Sequence, residues 1–239
     1  MRRRDPGPAK LVFVPAIYAH RGLHTSEREN TVSAFLAAKE LGVDGVELDV
    51  RRTSDGELVV HHDPVIGESV IARCTRRELP DHVPSLEQAM DACRGIRVNV
   101  EIKNIQHPSE PTYDPTGDFA RQVVGSLHDW NWADSVMISS FDLATCAVVR
   151  SIDPVIPIGW LIWDVEITSA MTQAHVLGLD AVNPYFSTVT PEAMSLAGEL
   201  ELSVNVWTVN NPTDITAMAA LGVASIITDD PKTAMALVR

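Results

Sequence analysis

The chain has 239 residues, 45% hydrophobic and 21% charged, which suits one large core the size of a single α/β barrel. A formal charge of −13 and a pI near 4.9 argue against a nucleic-acid or anionic-membrane surface, because polyanions would be repelled. No stretch approaches the roughly 18 consecutive apolar residues that a membrane span needs.

From the N-terminus, Met1-Arg2-Arg3-Arg4 and the apolar run behind it imitate a signal peptide, but Pro6, Pro8 and Pro15 interrupt the pattern. The run leads straight into His20-Arg21-Gly22, so it reads as a first strand. Residues 1–10 are expected to form a flexible head and 11–239 one barrel domain. Cys74, Cys93 and Cys146 are odd in number, far apart and without CxxC spacing, which predicts reduced thiols and a cytoplasmic protein.

Apolar runs of strand length are expected at 12–19, 45–50, 97–103, 136–139, 158–162, 181–183, 202–208 and 225–228. Segments of helical period follow them at 31–41, 85–92, 118–128, 142–152, 168–177, 191–197, 212–221 and 231–238. Thr190-Pro191, Asn211-Pro212 and Asp230-Pro231 each put a capping side chain before a proline in the first helical turn. Leu41-Gly42, Leu177-Gly178 and Leu221-Gly222 put glycine at helix exits. Eight β/α units predict a (β/α)8 TIM barrel, and the glycine-rich GxGxxG turn of a doubly wound sheet is missing after the first strand. The long connections at 51–84 and 104–117 both follow strand C-termini, the catalytic face of such a barrel.

Alternation along a strand sends Glu47 and Asp49 to one side, and Glu101 and Lys103 likewise. Two readings of Glu47 and Asp49 stand at this level: an ion network with Arg21, Arg51 or Arg52, or ligation of a cation. Glu101 at the matching place on the next strand favours the cation, because desolvated like charges repel unless a counter-ion joins them. Oxygen-only ligands select Mg2+, Ca2+ or Mn2+ over zinc. Lys103 is placed either to hold a phosphate oxygen or to pair with Glu101.

His20 ends the first strand, and Arg21 behind it could grip phosphate in a fork geometry while Gly22 lets the chain turn. In extended Val59-Val60-His61-His62-Asp63 only one histidine can face the site. His62 is chosen, with Asp63 orienting its loop and His61 outside. Trp207 is read either as a wall of the substrate pocket or as packing. His24, His82, His107, His128 and His175 show no partner spacing and are read as surface or loop residues.

With those residues in view, the chain resembles the glycerophosphodiester phosphodiesterases nearly end to end. The resemblance rests on His20-Arg21-Gly22, Glu29-Asn30-Thr31, Glu47-Leu48-Asp49-Val50, Asp55-Gly56, His62-Asp63, Val83-Pro84-Ser85-Leu86, Glu101-Ile102-Lys103, Ser139-Ser140-Phe141, Trp207-Thr208-Val209-Asn210 and Ile227-Thr228-Asp229. It implies a TIM barrel with one divalent cation, Mg2+ or Ca2+ and alternatively Mn2+, on Glu47, Asp49 and Glu101. It also implies His20 and His62 as acid and base, with Arg21 and Lys103 on phosphate. The expected reaction is hydrolysis of a small-molecule glycerophosphodiester to glycerol 3-phosphate and an alcohol, a step of glycerol and lipid metabolism. Two rivals are a lysophospholipase D acting on lysolipids and a non-catalytic barrel that binds phosphodiesters.

Overall fold

The structure, a computed structural model, describes residues 14–108 and 110–239. The expected head at 1–10 and the first two residues of the strand expected at 12–19 lie outside the described residues.

In chain order the strands are β1 (Ala16–Ala19), β2 (Gly45–Arg52), β3 (Leu58–Val60), β4 (Val65–Ile66), β5 (Ser69–Val70), β6 (Arg97–Ile102), β7 (Val136–Ser140), β8 (Ile158–Ile162), β9 (Ala181–Pro184), β10 (Ser203–Val206) and β11 (Ser225–Thr228). The α-helices are α1 (Val32–Leu41), α2 (Leu86–Ala92), α3 (Asp118–Asp129), α4 (Leu143–Ile152), α5 (Ile167–Val176), α6 (Pro191–Glu199), α7 (Pro212–Leu221) and α8 (Pro231–Val238). Strands β1, β2 and β6 to β11 are parallel and close into an eight-stranded barrel, with β1 pairing both β2 and β11. The expected TIM barrel is the observed fold.

Both faces of the barrel strands are buried, yet polarity still alternates. Outward positions such as Val46, Leu48, Val98, Val100, Ile138, Ile158, Val182, Val204 and Ile226 join Phe35, Met90, Leu127, Val149 and Met171 of the helices in one apolar core. Many inward positions are polar: Glu47, Asp49, Asn99, Glu101, Ser139, Asn183, Asn205 and Ser225 are all buried, and the apolar Met137, Leu161 and Ile227 stand among them. Branched apolar residues usually fill such a barrel. Here hydrogen bonds substitute in part, Ser225 Oγ donating to Asn205 Oδ1 at 2.8 Å and Asn205 Nδ2 to Asn183 Oδ1 at 3.0 Å. Gly159 makes room for Asn183, since a Cβ there would stand 2.6 Å from Asn183 Oδ1.

The sequence signals at the helix ends work as expected. Thr31, Asp142, Thr190, Asn211 and Asp230 each accept a backbone N–H in the first turn of the helix that follows. Gly42 and Gly222 take left-handed conformations at the ends of α1 and α7.

Three departures from the expected elements bear on the site. β2 outruns the barrel and pairs antiparallel with β3, Val50 opposite Val60 and Arg52 opposite Leu58, around the Asp55-Gly56 turn. That hairpin returns the chain over the barrel mouth, where His61 N donates to Asp49 O at 2.9 Å. It also builds a small second core of Val59, Ile71, Leu79 and Val83. The strand expected at 202–208 ends at Val206, and Trp207 is tied to Tyr185 by an isolated bridge. The strand expected at 97–103 stops at Ile102, which leaves Lys103 at its exit.

Candidate active site

Parallel pairing puts Glu47 beside Asn99 and Asp49 beside Glu101 across β2 and β6. Glu47, Asp49 and Glu101 are therefore brought together as expected: they are 3%, 1% and 7% exposed, and each offers an oxygen within 4.8 Å of the others. The local cations are Lys103, whose Nζ is 2.8 Å from Glu101 Oε1 and 3.4 Å from Asp49 Oδ1, and Arg21, whose Nε is 3.4 Å from Asp49 Oδ2. Asn30 Nδ2 adds a donor to Asp49 Oδ2 at 2.7 Å.

The three acids are not equally served. Burial pushes Asp49 up, but Lys103 and Arg21 outweigh it and hold the carboxyl well below its ordinary range. Burial likewise opposes charge on Lys103, and Glu101 and Asp49 reverse that and hold it above the ordinary lysine range. Glu47 is pushed well up, first by burial and then by Asp49 and Glu101. Its Oε2 accepts the Arg21 amide at 3.0 Å, while its buried Oε1 accepts no hydrogen bond. A buried carboxylate oxygen without a donor is costly, and a cation is the partner this oxygen-only set fits.

The turn after β1 is shaped by two left-handed residues, Arg21 at φ 55° and Gly22 at φ 83°. A side chain at Gly22 would put its Cβ 2.8 Å from Ala34, so α1 packs directly on this turn. Arg21 Nη1 lies 3.1 Å from both oxygens of Glu29, which holds the guanidinium at the cavity wall.

Both chosen histidines face one cavity of about 330 Å3 with Arg21, Glu47, Glu101, Lys103 and Trp207. His20 Nδ1 donates to Asp229 Oδ1 at 2.7 Å, and its Nε2 lies 3.9 Å from Glu47 Oε2. His62 Nδ1 pairs with Asp63 Oδ1 at 2.8 Å, so Asp63 orients the ring itself and not only the loop. Burial and then Lys103 hold His62 below the ordinary histidine range. His61 turns away, its Nδ1 bonded to Asp63 O at 2.9 Å, and lines a different pocket with His82. Trp207 takes the wall position: its ring stands with Phe141, Trp163 and Tyr185 at centroid distances of 5.3, 5.4 and 5.6 Å, and its Nε1 donates to Asn183 O.

His24 is a partly exposed loop residue, as expected, and the structure gives it a partner that no spacing in the sequence marks. His24 Nε2 lies 2.9 Å from the same Asp229 oxygen that accepts His20. His128 also has a partner, Asp153 Oδ2 at 2.6 Å from its Nε2. Two further residues were named in the sequence without the roles the structure gives them, Asp229 in the Ile227-Thr228-Asp229 motif and Arg51 as a candidate partner of Glu47 and Asp49. Asp229 fixes the His20 ring and is itself held through Oδ2 by Asn210 Nδ2 at 2.6 Å. Arg51 donates through Nε to His62 O at 2.8 Å and forks onto both oxygens of Glu110 at 2.9 Å, tying the 104–117 connection to that histidine. Neither pairing leaves a local signature, since Asp229 is 209 residues from His20 and Glu110 is 59 from Arg51.

Acids, cations and histidines converging on one cavity at the C-terminal mouth of a parallel barrel define an enzyme of the phosphodiesterase type. The pattern of the glycerophosphoryl diester phosphodiesterase family matches residues 20–233, and the chain belongs to that family. A glycerophosphodiester phosphodiesterase of Caldanaerobacter subterraneus subsp. tengcongensis is 29% identical over 93% of this chain and 97% of its own. Another, from Bacillus altitudinis, is 28% identical over 92% of this chain and 96% of its own. The crystal structure of a glycerophosphodiester phosphodiesterase from Parabacteroides distasonis superposes with a TM-score of 0.84 at 26% identity, covering 94% of this chain and 96% of that one.

Proposed function

We propose that this enzyme hydrolyses glycerophosphodiesters to glycerol 3-phosphate and an alcohol with one divalent cation, Mg2+ or Ca2+ and alternatively Mn2+, on Glu47, Asp49 and Glu101. The observation that carries the reading is the buried Glu47 Oε1, which accepts no hydrogen bond and lies in a trio of acids beside two cations and two histidines. The bound cation supplies neutralisation of phosphate charge and acidification of a hydroxyl.

The chain's own residues do the rest. Arg21 and Lys103 bind the non-bridging phosphate oxygens and stabilise the charge that gathers there. His20 and His62 are each anchored through Nδ1 by an aspartate, which leaves Nε2 as the ring nitrogen for proton transfer. One takes the proton of the attacking hydroxyl as the other gives one to the departing alkoxide. Trp207 and Phe141 wall the cavity and keep water from that side. A second reading, lysophospholipase D, is favoured by one observation: Trp163 is 53% exposed beside Tyr185 and Trp207, an apolar surface at the rim that suits an acyl chain.

The test is release of glycerol 3-phosphate from glycerophosphocholine, glycerophosphoethanolamine and glycerophosphoglycerol, and of lysophosphatidic acid from a lysophospholipid, each with Mg2+, Ca2+, Mn2+ or chelator. Cation-dependent release from the water-soluble diesters is expected. Cleavage of the lysolipid alone would favour the second reading, and turnover of none would overturn both.

A further inference from the structure

Behind the catalytic His20 stands a second cluster of potential ligands, His20, His24 and Asp229. Asp229 Oδ1 lies 2.7 Å from His20 Nδ1 and 2.9 Å from His24 Nε2, so two imidazoles converge on one carboxylate oxygen. Each of the three residues offers a ligand atom within 4.8 Å of those of the other two. None is sealed: the side chains are 18%, 24% and 32% exposed, which gives an ion a path in and a water room to complete the shell. The carboxylate is braced from behind, Oδ2 by Asn210 Nδ2 at 2.6 Å, as the outer partners of metal ligands usually do. The two rings stand at 72° with centroids 6.2 Å apart, edge to face and not stacked, so their nitrogens can meet at one point.

We propose that His20 Nδ1, His24 Nε2 and Asp229 Oδ1 form a second metal site, chemically distinct from the three carboxylates, that takes a transition-metal ion of the zinc type and silences the enzyme when filled. Two imidazoles and one oxygen select Zn2+ or Co2+ over Mg2+ and Ca2+, which prefer oxygen alone. The silencing rests on the role given to His20 under Proposed function; the binding does not.

The chemistry follows from the two nitrogens of one ring. With Nδ1–H donated to Asp229, the lone pair of neutral His20 sits on Nε2, the nitrogen that faces Glu47 and the cavity. An ion on Nδ1 needs that lone pair, so the ring proton moves to Nε2. His24 exchanges in the opposite sense, its proton moving from Nε2 to Nδ1. No proton need leave either neutral ring, yet Nε2 of His20 can no longer accept one, nor can it give one up without leaving an imidazolate, so His20 is disabled as base and as acid alike. The carboxylate that holds His20 ready in the free protein thereby becomes a ligand that holds it in the wrong tautomer.

The experiment uses the full chain in excess Mg2+, so that the carboxylate site is occupied by its own ion. Co2+ is added as the probe and its visible absorption followed; in parallel, turnover of glycerophosphocholine is measured against Zn2+. Wild type should bind one equivalent of Co2+ with the intense band of a tetrahedral site, and Zn2+ should inhibit it. His24→Ala should weaken Co2+ binding by roughly 100-fold or more, above what loss of an outer partner costs, keep its Mg2+-dependent turnover and escape Zn2+. His24→Asn provides the same comparison in a polar side chain should the alanine variant fold poorly. Equal Co2+ binding by wild type and variant, or equal inhibition of both by Zn2+, would overturn the proposal and point to exchange at the carboxylates. Absence of any turnover in wild type would instead count against the proposed reaction, and the Co2+ band would still decide the site.

Discussion

At the scale of single residues, the site is a problem of unbalanced charge. Three buried carboxylates face Lys103 and Arg21, and the imbalance is concentrated on Glu47, whose Oε1 accepts no hydrogen bond. Glu47→Gln keeps the shape and removes the repulsion. The variant should therefore melt no lower than wild type in chelator, yet gain none of the stabilisation that Mg2+ gives wild type, as differential scanning calorimetry would show. Equal stabilisation of both by Mg2+ would remove Glu47 from the cation's shell. The histidines separate as sharply. His62→Ala should lower kcat by about 10² to 10⁴, the usual contribution of a proton-transfer group, while His61→Ala should leave it near wild type. Burial and Lys103 hold His62 below the ordinary value of 6.5, so its neutral form persists to lower pH. The limb of the pH–rate profile that belongs to His62 should lie below 6.5 and move up when Lys103 is replaced by methionine, since the lysine's positive charge is one cause of the depression. A profile in which neither limb moves in Lys103→Met would contradict a proton-transfer role for His62.

At the scale of elements, two connections position what the strands present. The turn after β1 is locked by its packing on α1, where a Cβ at Gly22 would stand 2.8 Å from Ala34 and the backbone is left-handed. Gly22→Ala should cost about 1–3 kcal/mol in urea denaturation and reduce kcat as well, because His20 and Arg21 are carried on the same turn. The 104–117 connection reaches the site through Arg51, whose pair with Glu110 has side chains only 6% and 10% exposed. Arg51→Ala leaves Glu110 without its partner and His62 O without its donor. A loss of about 3–5 kcal/mol in stability is expected, with kcat falling more than KM rises. These couplings could not be read locally. Glu47, Asp49 and Glu101 were legible because alternation along a strand fixes which side chains share a face. His62 was legible for the same reason. The pairings of Arg51, Asp229 and His24 were not, because each acts through a partner from another β/α unit or another connection, and adjacency in the folded chain leaves no periodic trace.

At the scale of the whole molecule, the barrel itself was readable from alternating strand and helix periods, together with the Thr-Pro, Asn-Pro and Asp-Pro starts and the glycine exits. What exceeded the reading was closure. β1 pairs with β11, and only that pairing puts His20 beside Asp229 across 209 residues of sequence. Of the short strands, β3 was legible only as the extended run before His61 and not as a partner of β2, and β4 and β5, two residues each, left no signal. The polar barrel interior fits the same account: the strands are buried by their neighbours and held by helices outside, so the inside is free to carry acids and amides. No helix among the described residues is long and apolar enough to cross a membrane. The central claim is that a cation on Glu47, Asp49 and Glu101 carries the hydrolysis of a glycerophosphodiester. It is tested most directly by the rate of glycerol 3-phosphate release from glycerophosphocholine, with wild type and Glu101→Gln stripped by chelator and then given increasing Mg2+. Wild type should be silent when stripped and recover fully on addition, while Glu101→Gln stays at least about 10³ slower throughout, as loss of several kcal/mol of charge stabilisation requires. Undiminished turnover in chelator, or an equal Mg2+ response in both proteins, would contradict the account.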